Sequence, residues 1–191
     1  MKHTLKDRHV IIAFGANQPS PAGRPDQTIL AAIAALSGKN ISIQCVSRLF
    51  ATPAFPSGSG PDYVNAAISA TTAMSERELL NILHETEANF SRFRNERWQA
   101  RTLDIDLIAV EDAVHPDRLV LQRWMNMPLE DQKRLTPEEL ILPHPRLQDR
   151  AFVLVPMAEV APSWRHPLTG KSVTEMLASL DPALKAEVRP L

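Results

Sequence analysis

Apolar and polar residues recur along this chain with two periods, and the order in which the periods change predicts strands and helices in turn. Residues 10–14, VIIAF, form an unbroken apolar run of strand length, closed by Gly15, Ala16 and Asn17 before a loop rich in Pro and Ser. Ile29, Leu30, Ile33 and Leu36 then repeat at helical spacing, with Asp26 placed to cap that helix and Gly38 to end it in the left-handed conformation. Ile41, Ile43, Cys45 and Ser47 alternate with polar partners up to Phe50 as a second strand, and YVNAAISATT at 63–72 reads as a third. Between them, ATPAFPSGSGPD carries too much Pro, Gly and Ser for regular structure, and a loop of that length is usually functional.

Ser75 with Glu78 makes a capping box for a second helix whose Leu79, Leu80, Leu83 and Phe90 face inward. A strand at TLDIDLIAV follows, so the order is β-α-β-β-α-β. The expected class is α+β, a ferredoxin-like antiparallel sheet with helices on one face, plus C-terminal helices. Residues 111–139 are polar with scattered Trp and Met. After them LILPHPRLQDRAFVLVPMAEVAP starts extended and turns helical beyond Pro145, and a last helix capped by Ser172 and Glu175 runs to Leu180 and stops at Pro182.

The chemistry concentrates in RFRNERWQARTLDID. Arg92, Arg94, Arg97 and Arg101 precede Asp104 and Asp106, which are two apart on a strand and so point to one side while Leu103, Ile105 and Leu107 face the core. Ile108 and Val110 are expected to continue the acidic face in apolar residues, which would partly cover it. Guanidinium forks match phosphate oxygens, and paired carboxylates hold a hard cation or share a proton. The arginines favour a metal with a phosphate chain. For an isolated D-x-D, a solvated edge strand behind a charge-mixed loop is the plain alternative.

With 191 residues, 44% of them hydrophobic, the chain can bury one core, and 1–191 is read as a single domain. A formal net charge of −1 offers no general attraction to nucleic acid, so the arginines are a local device. Cys45 is the sole cysteine, which excludes an internal disulfide, and it is expected to be a buried small residue. The first ten residues lack the apolar stretch of a signal peptide and nothing later is long enough to span a bilayer, so the expected setting is cytoplasmic. Trp124 and Trp164 are read as core or covering residues. Gly170-Lys171-Ser172 ends like a phosphate-binding loop but has Arg165 where that motif needs glycine, and His84-Glu85 lacks the second zinc-binding histidine, since Ala88 stands there.

Four segments in order, FGAN, TPAF…GPDYVNAA, RWQARTLDIDLI and LPHPRLQDRAF, make the stretch from 10 to about 164 similar to the 6-hydroxymethyl-7,8-dihydropterin pyrophosphokinase family. The resemblance implies a ferredoxin-like fold and transfer of the pyrophosphoryl group of ATP to the hydroxymethyl group of the pterin, releasing AMP, in folate biosynthesis. It also implies two magnesium ions held by Asp104 and Asp106. Arg92 and Arg101 match arginines that act on the phosphates, and Arg92, Arg94 and Trp98 fall in a loop that closes over the substrates. Glu87, His144 and Arg150 match positions at the ATP site. Tyr63 and Phe152 match a stacking pair for the pterin, Asn65 matches the residue that reads its edge, and Thr52, Pro53 and Phe55 match the loop wall beside it.

The chain departs from the family pattern at Gln99, Ser91, Pro145 and Glu139, which bears on loop closure and on one ATP contact, and 115–139 is longer than in the shorter members. Rival readings are a two-metal nucleotidyl transferase, an RNA-binding module of the same fold and a pterin-binding paralogue without turnover. The expected partners are ATP and the pterin, with no nucleic acid and no membrane, and the chain is expected to act as a monomer.

Overall fold

The computed structural model describes residues 6–54, 60–90, 102–128, 131 and 134–191. In chain order the elements are β1 (Arg8–Ala16), α1 (Pro25–Ser37), β2 (Ser42–Val46), β3 (Phe50–Thr52), β4 (Tyr63–Thr72), α2 (Glu76–Phe90), β5 (Asp104–Val110), α3 (Arg118–Met125), a 3-10 turn (Leu147–Asp149), α4 (Ala151–Val160), α5 (Val173–Ser179), α6 (Pro182–Ala186) and β6 (Arg189–Pro190). The strands are laterally ordered β5-β1-β4-β3-β6, with β2 also on β4, and the pairings are antiparallel. This is the expected α+β, ferredoxin-like arrangement, with β2 and β3 as two pieces of the second strand. The break falls where Ser47 donates its backbone N–H to the Ala67 carbonyl at 2.9 Å and accepts the Ala67 N–H on its hydroxyl at 2.9 Å.

Two apolar layers follow from the alternation of β1. Val10, Ile12, Phe14 and Ala16 pack with α1 and α2 on one face, while Ile11 and Ala13 meet Leu147, Val153, Leu154, Met157, Val173 and Met176 on the other. The C-terminal helices α4 and α5 thus cover the second face, making three layers. Ser75 and Glu78 form the expected capping box, as do Ser172 and Glu175, with Ser172 N–H on Glu175 at 2.7 Å. Trp164 covers the second layer and donates its indole N–H to the Glu111 carbonyl at 2.7 Å. Among the described residues no helix is long and apolar enough to cross a membrane.

Several expectations are corrected. Val110 joins the α1/α2 layer while Ile108 and Ala109 join the other, because the β1–β5 register skips one residue where Ile11 pairs with Ala109 and Ile12 with Leu107. One extra residue in a strand reverses which side its neighbours face. Ile108 therefore continues the acidic face and Val110 does not. A similar shift in β2 between Ile43 and Cys45, on a strand paired on one side, leaves Cys45 exposed rather than buried. Helix α1 begins two residues earlier than expected. Arg24 is its N-cap with Pro25 in the first turn, and Asp26 instead pairs with the Arg24 guanidinium. Leu30 is 52% exposed and leaves the stripe to Thr28, Ile29, Ala32, Ile33 and Leu36, and Gly38 has φ −86°, with the left-handed residue being Asn40 at φ 59°. Inside 111–139 lies α3, whose Asp117 carboxylate accepts the N–H groups of Leu119 and Val120.

Candidate active site

The second face of the sheet is left open at one end by a cavity of about 460 Å³, lined by side chains from β1, β3, β4, β5, the start of α4 and α6. Strand register places its floor. Gly15 of β1 pairs with Asn65 of β4 on one side and with Asp104 of β5 on the other, and Ala13 likewise sits between Ala67 and Asp106. Two strand spacings separate Asn65 from Asp104, about 10 Å. Between them stand only an alanine and a glycine, so the floor is free of bulk. A Cβ on Gly15 would meet the Asn65 Oδ1 at 3.4 Å, inside the space that Asn65 faces.

At the β4 side the cavity is aromatic and amide-lined. Tyr63 and Phe152 are 37% and 39% exposed although both line the cavity, and the aromatic pairing seen among the described residues joins Trp164 to His166 instead. Neither ring is stacked on another aromatic among the described residues, which leaves ring surface to a flat guest. Asn65 is buried and donates one Nδ2–H to Thr52 Oγ1 at 2.8 Å, which leaves Oδ1 and the second N–H for a guest. Thr52 and Pro53 complete this wall.

At the β5 side the cavity is charged. Asp104 and Asp106 line it together with Asp149 and Arg150. Burial first, then the neighbouring Arg146, pull the Arg150 guanidinium below its ordinary pKa, while Asp106, Asp104 and Asp149 oppose them. Arg150 also lies over the Phe152 ring, 5.5 Å from its centroid, so one residue borders both ends of the cavity. It is the N-cap of α4, whose first turn has no side-chain cap and lines the cavity with Ala151 and Phe152, so the positive end of the helix faces inward.

His144 and Glu87 stand behind the wall. The His144 N–H donates to the Ile108 carbonyl at 2.8 Å, and its Nδ1 accepts from the Arg146 N–H at 3.2 Å. Burial, with Arg150 and Arg146 nearby, pushes its pKa down to about 3, so the ring is neutral at pH 7 with its proton on Nε2. Glu87 accepts the backbone N–H of Ile105 at 2.7 Å and so holds the residue between the two acids.

The structure thus brings Thr52, Pro53, Tyr63, Asn65, Asp104, Asp106, Arg150 and Phe152 to one cavity and places Glu87 and His144 outside its lining. Phe55, Arg92, Arg94, Trp98 and Arg101 lie outside the described residues. Sequence reasoning missed Asp149, Leu184, Glu187 and Val188. Asp149 sits next to the matched Arg150 and could have been found there, whereas nothing in the pattern of 182–191 signals a cavity wall.

Among the described residues no three His, Cys, Asp or Glu gather as a metal site, and Asp104 and Asp106 are the carboxylate pair that β5 presents to the cavity. That fits magnesium, which is held through one or two carboxylates with substrate phosphates and water, and not through a full protein cage.

Comparison with known proteins gives a consistent result. A Synechocystis protein named 2-amino-4-hydroxy-6-hydroxymethyldihydropteridine pyrophosphokinase is 34% identical over 152 residues, 80% of this chain and 65% of that protein. One of the same name from Pseudomonas aeruginosa is 29% identical over 173 residues, 90% of this chain and 91% of that one. The chain therefore spans slightly under two thirds of the Synechocystis relative's length. The crystal structure of wild-type Plasmodium falciparum HPPK-DHPS superposes with a TM-score of 0.62 at 12% identity, over 91% of this chain and 44% of that one, a likeness of fold. The family model for 7,8-dihydro-6-hydroxymethylpterin-pyrophosphokinase matches residues 11–162, and the chain belongs to that family.

Proposed function

We propose that this chain transfers the pyrophosphoryl group of ATP to the hydroxymethyl group of 6-hydroxymethyl-7,8-dihydropterin, giving AMP, as a step of folate biosynthesis. The observation that carries this reading is one cavity with a flat-ring site at its β4 side and an acidic, arginine-bordered site at its β5 side, two strand spacings apart. A pterin between Tyr63 and Phe152, with its polar edge on Asn65, would aim its hydroxymethyl arm along Gly15 toward Asp104. The triphosphate would lie against Arg150, the start of α4 and the Nε2–H of neutral His144, and the resemblance assigns Arg92, Arg94, Trp98 and Arg101 to the same substrate.

Asp104 and Asp106 would hold two magnesium ions, which when bound neutralise the triphosphate and make the attacking hydroxyl more acidic. In the transfer the hydroxymethyl oxygen forms a bond to the β-phosphorus while the bond from that phosphorus to the α–β bridging oxygen breaks, AMP leaving and the hydroxyl proton passing to solvent. The walls of the cavity limit the access of water, whose attack on ATP is the competing reaction. Residues 1–191 acting as one domain, as a cytoplasmic monomer, complete the reading. A nucleotidyl transferase would need attraction for a nucleic-acid strand, which a formal net charge of −1 does not offer.

The test is AMP release from ATP and magnesium by the purified protein, with and without 6-hydroxymethyl-7,8-dihydropterin. AMP that requires both pterin and magnesium supports the reading. Tight pterin binding with no AMP points to a paralogue without turnover.

A further inference from the structure

Residues 181–191 form a wall of the cavity that the family motifs do not reach. Asp181 caps α6 by accepting the Ala183 N–H at 2.8 Å, and the chain then turns so that β6 pairs with β3, Ala51 opposite Arg189 and Phe50 opposite Pro190. The Leu191 N–H adds a bond to the Leu49 carbonyl at 3.0 Å. Val188 is buried with Phe50 and Ala151, which ties this segment both to β3 and to the start of α4. Leu184, Glu187 and Val188 then line the cavity.

The strand order says which end they line. β5, with Asp104 and Asp106, and β6 are the two ends of the path β5-β1-β4-β3-β6, four spacings or about 19 Å apart. Residues carried on β6 and α6 are thus remote from the acids and adjacent to the wall of Thr52, Asn65 and Tyr63. Leu184 and Val188 are apolar there, while Glu187 brings a carboxylate and makes no ion pair with any other described residue. Asn65, with one amide N–H engaged by Thr52, offers a ligand a single acceptor atom, Oδ1, and its second N–H. A pterin edge carries two donors side by side, the 2-amino group and the N3–H, a pair that a carboxylate accepts in parallel, one on each oxygen, and that a single amide oxygen has to share.

We propose that Glu187 is a specificity-determining residue of the flat-ring site, its carboxylate accepting from the 2-amino and N3–H edge of the pterin while Leu184 and Val188 extend the apolar wall. This rests on the pterin reading given above. A hydrogen bond to a charged partner contributes roughly 1.5–3 kcal/mol, a factor of about 10–100 in affinity.

The test is equilibrium binding to the wild-type protein and to Glu187→Gln, an exposed position on which the core does not depend. Three probes are compared: 6-hydroxymethyl-7,8-dihydropterin, its analogue with oxygen in place of the 2-amino group, and α,β-methylene ATP with magnesium. The expected result is a pterin Kd raised about tenfold or more in the variant, an unchanged Kd for the ATP analogue, and a reduced preference for the 2-amino over the 2-oxo compound. An unchanged pterin Kd overturns the assignment of Glu187 while leaving the pterin reading intact. Equal weakening of both pterins also overturns it, because it marks a loosened wall rather than a lost acceptor. Failure of the wild-type protein to bind the pterin at all removes the reading and this inference together.

Discussion

Glu87 of α2 accepts the backbone N–H of Ile105 at 2.7 Å, and Ile105 is the residue between Asp104 and Asp106. β5 is an end strand among the described residues, and on its outer side a side chain from α2 takes the place of a strand partner. The carboxylate thereby fixes the position of both acids without entering the cavity.

Glu87→Ala should leave that N–H without its acceptor, at a cost of about 1–3 kcal/mol in stability. It should also slow pyrophosphoryl transfer on the order of 10²-fold, the effect of small misplacement of catalytic groups. Glu87→Gln keeps a carbonyl acceptor and should recover most of the stability. Denaturant melts and kcat of the two variants check this, and an Ala variant with normal kcat would show that the strand holds its acids unaided.

Asp104→Asn and Asp106→Asn retain side-chain volume and remove a carboxylate charge from the cavity face. Each is expected to lower kcat by at least about 10²–10³-fold, the range for loss of one transition-state stabiliser, while the melting temperature changes little. Near-normal turnover in either would remove the metal-holding role from that residue.

The acids and the aromatic end were legible in the sequence because short motifs carry them on strands with a clear period of two. What escaped was set by partners, not by local pattern. The run LIAV at 107–110 is apolar throughout, so nothing in it marks the register skip opposite Ile11 and Ile12 that sends Val110 to the other layer. Cys45 reads as buried by alternation and is exposed because β2 carries its own register shift. β6 is two residues long and exists through its pairing with β3, so KAEVRPL could not announce it. Helix α3 was overlooked in a polar stretch even though Asp117 is placed to cap it.

Asn65 and Thr52 are joined by a buried hydrogen bond of 2.8 Å between β4 and β3. Thr52→Val would free the Asn65 amide to rotate, and Asn65→Ala would remove the acceptor itself. Both should weaken pterin binding, Asn65→Ala by about tenfold, with binding of an ATP analogue nearly unchanged, since a ligand hydrogen bond of this kind contributes roughly 0.5–1.5 kcal/mol. Isothermal titration with each ligand separates the two effects, and equal losses would show that Asn65 supports the whole cavity instead of reading one substrate.

His166, which does not line the cavity, supplies a pH dependence of stability. Its ring is buried, Nδ1 accepts the N–H groups of Leu168 at 3.2 Å and Thr169 at 3.4 Å, and Nε2, which must then carry the proton, has no partner among the described residues. Protonating Nδ1 would break both turn contacts and charge a buried ring. Burial accordingly pushes its pKa down to about 4. The unfolded chain takes up this proton near the ordinary value of about 6.5, so it binds more protons than the folded chain between the two values. Stability is therefore full above about pH 6.5 and falls as pH drops toward 4, by about 2 kcal/mol between pH 7.5 and pH 5 from this residue. His166→Asn, whose Oδ1 can take the place of Nδ1 but cannot be protonated in this range, should show a flatter dependence, with the low-pH slope that remains arising from His144 and other groups. Urea melts of both proteins at the two pH values measure the difference, and parallel slopes would mean that His166 is protonated in the folded protein.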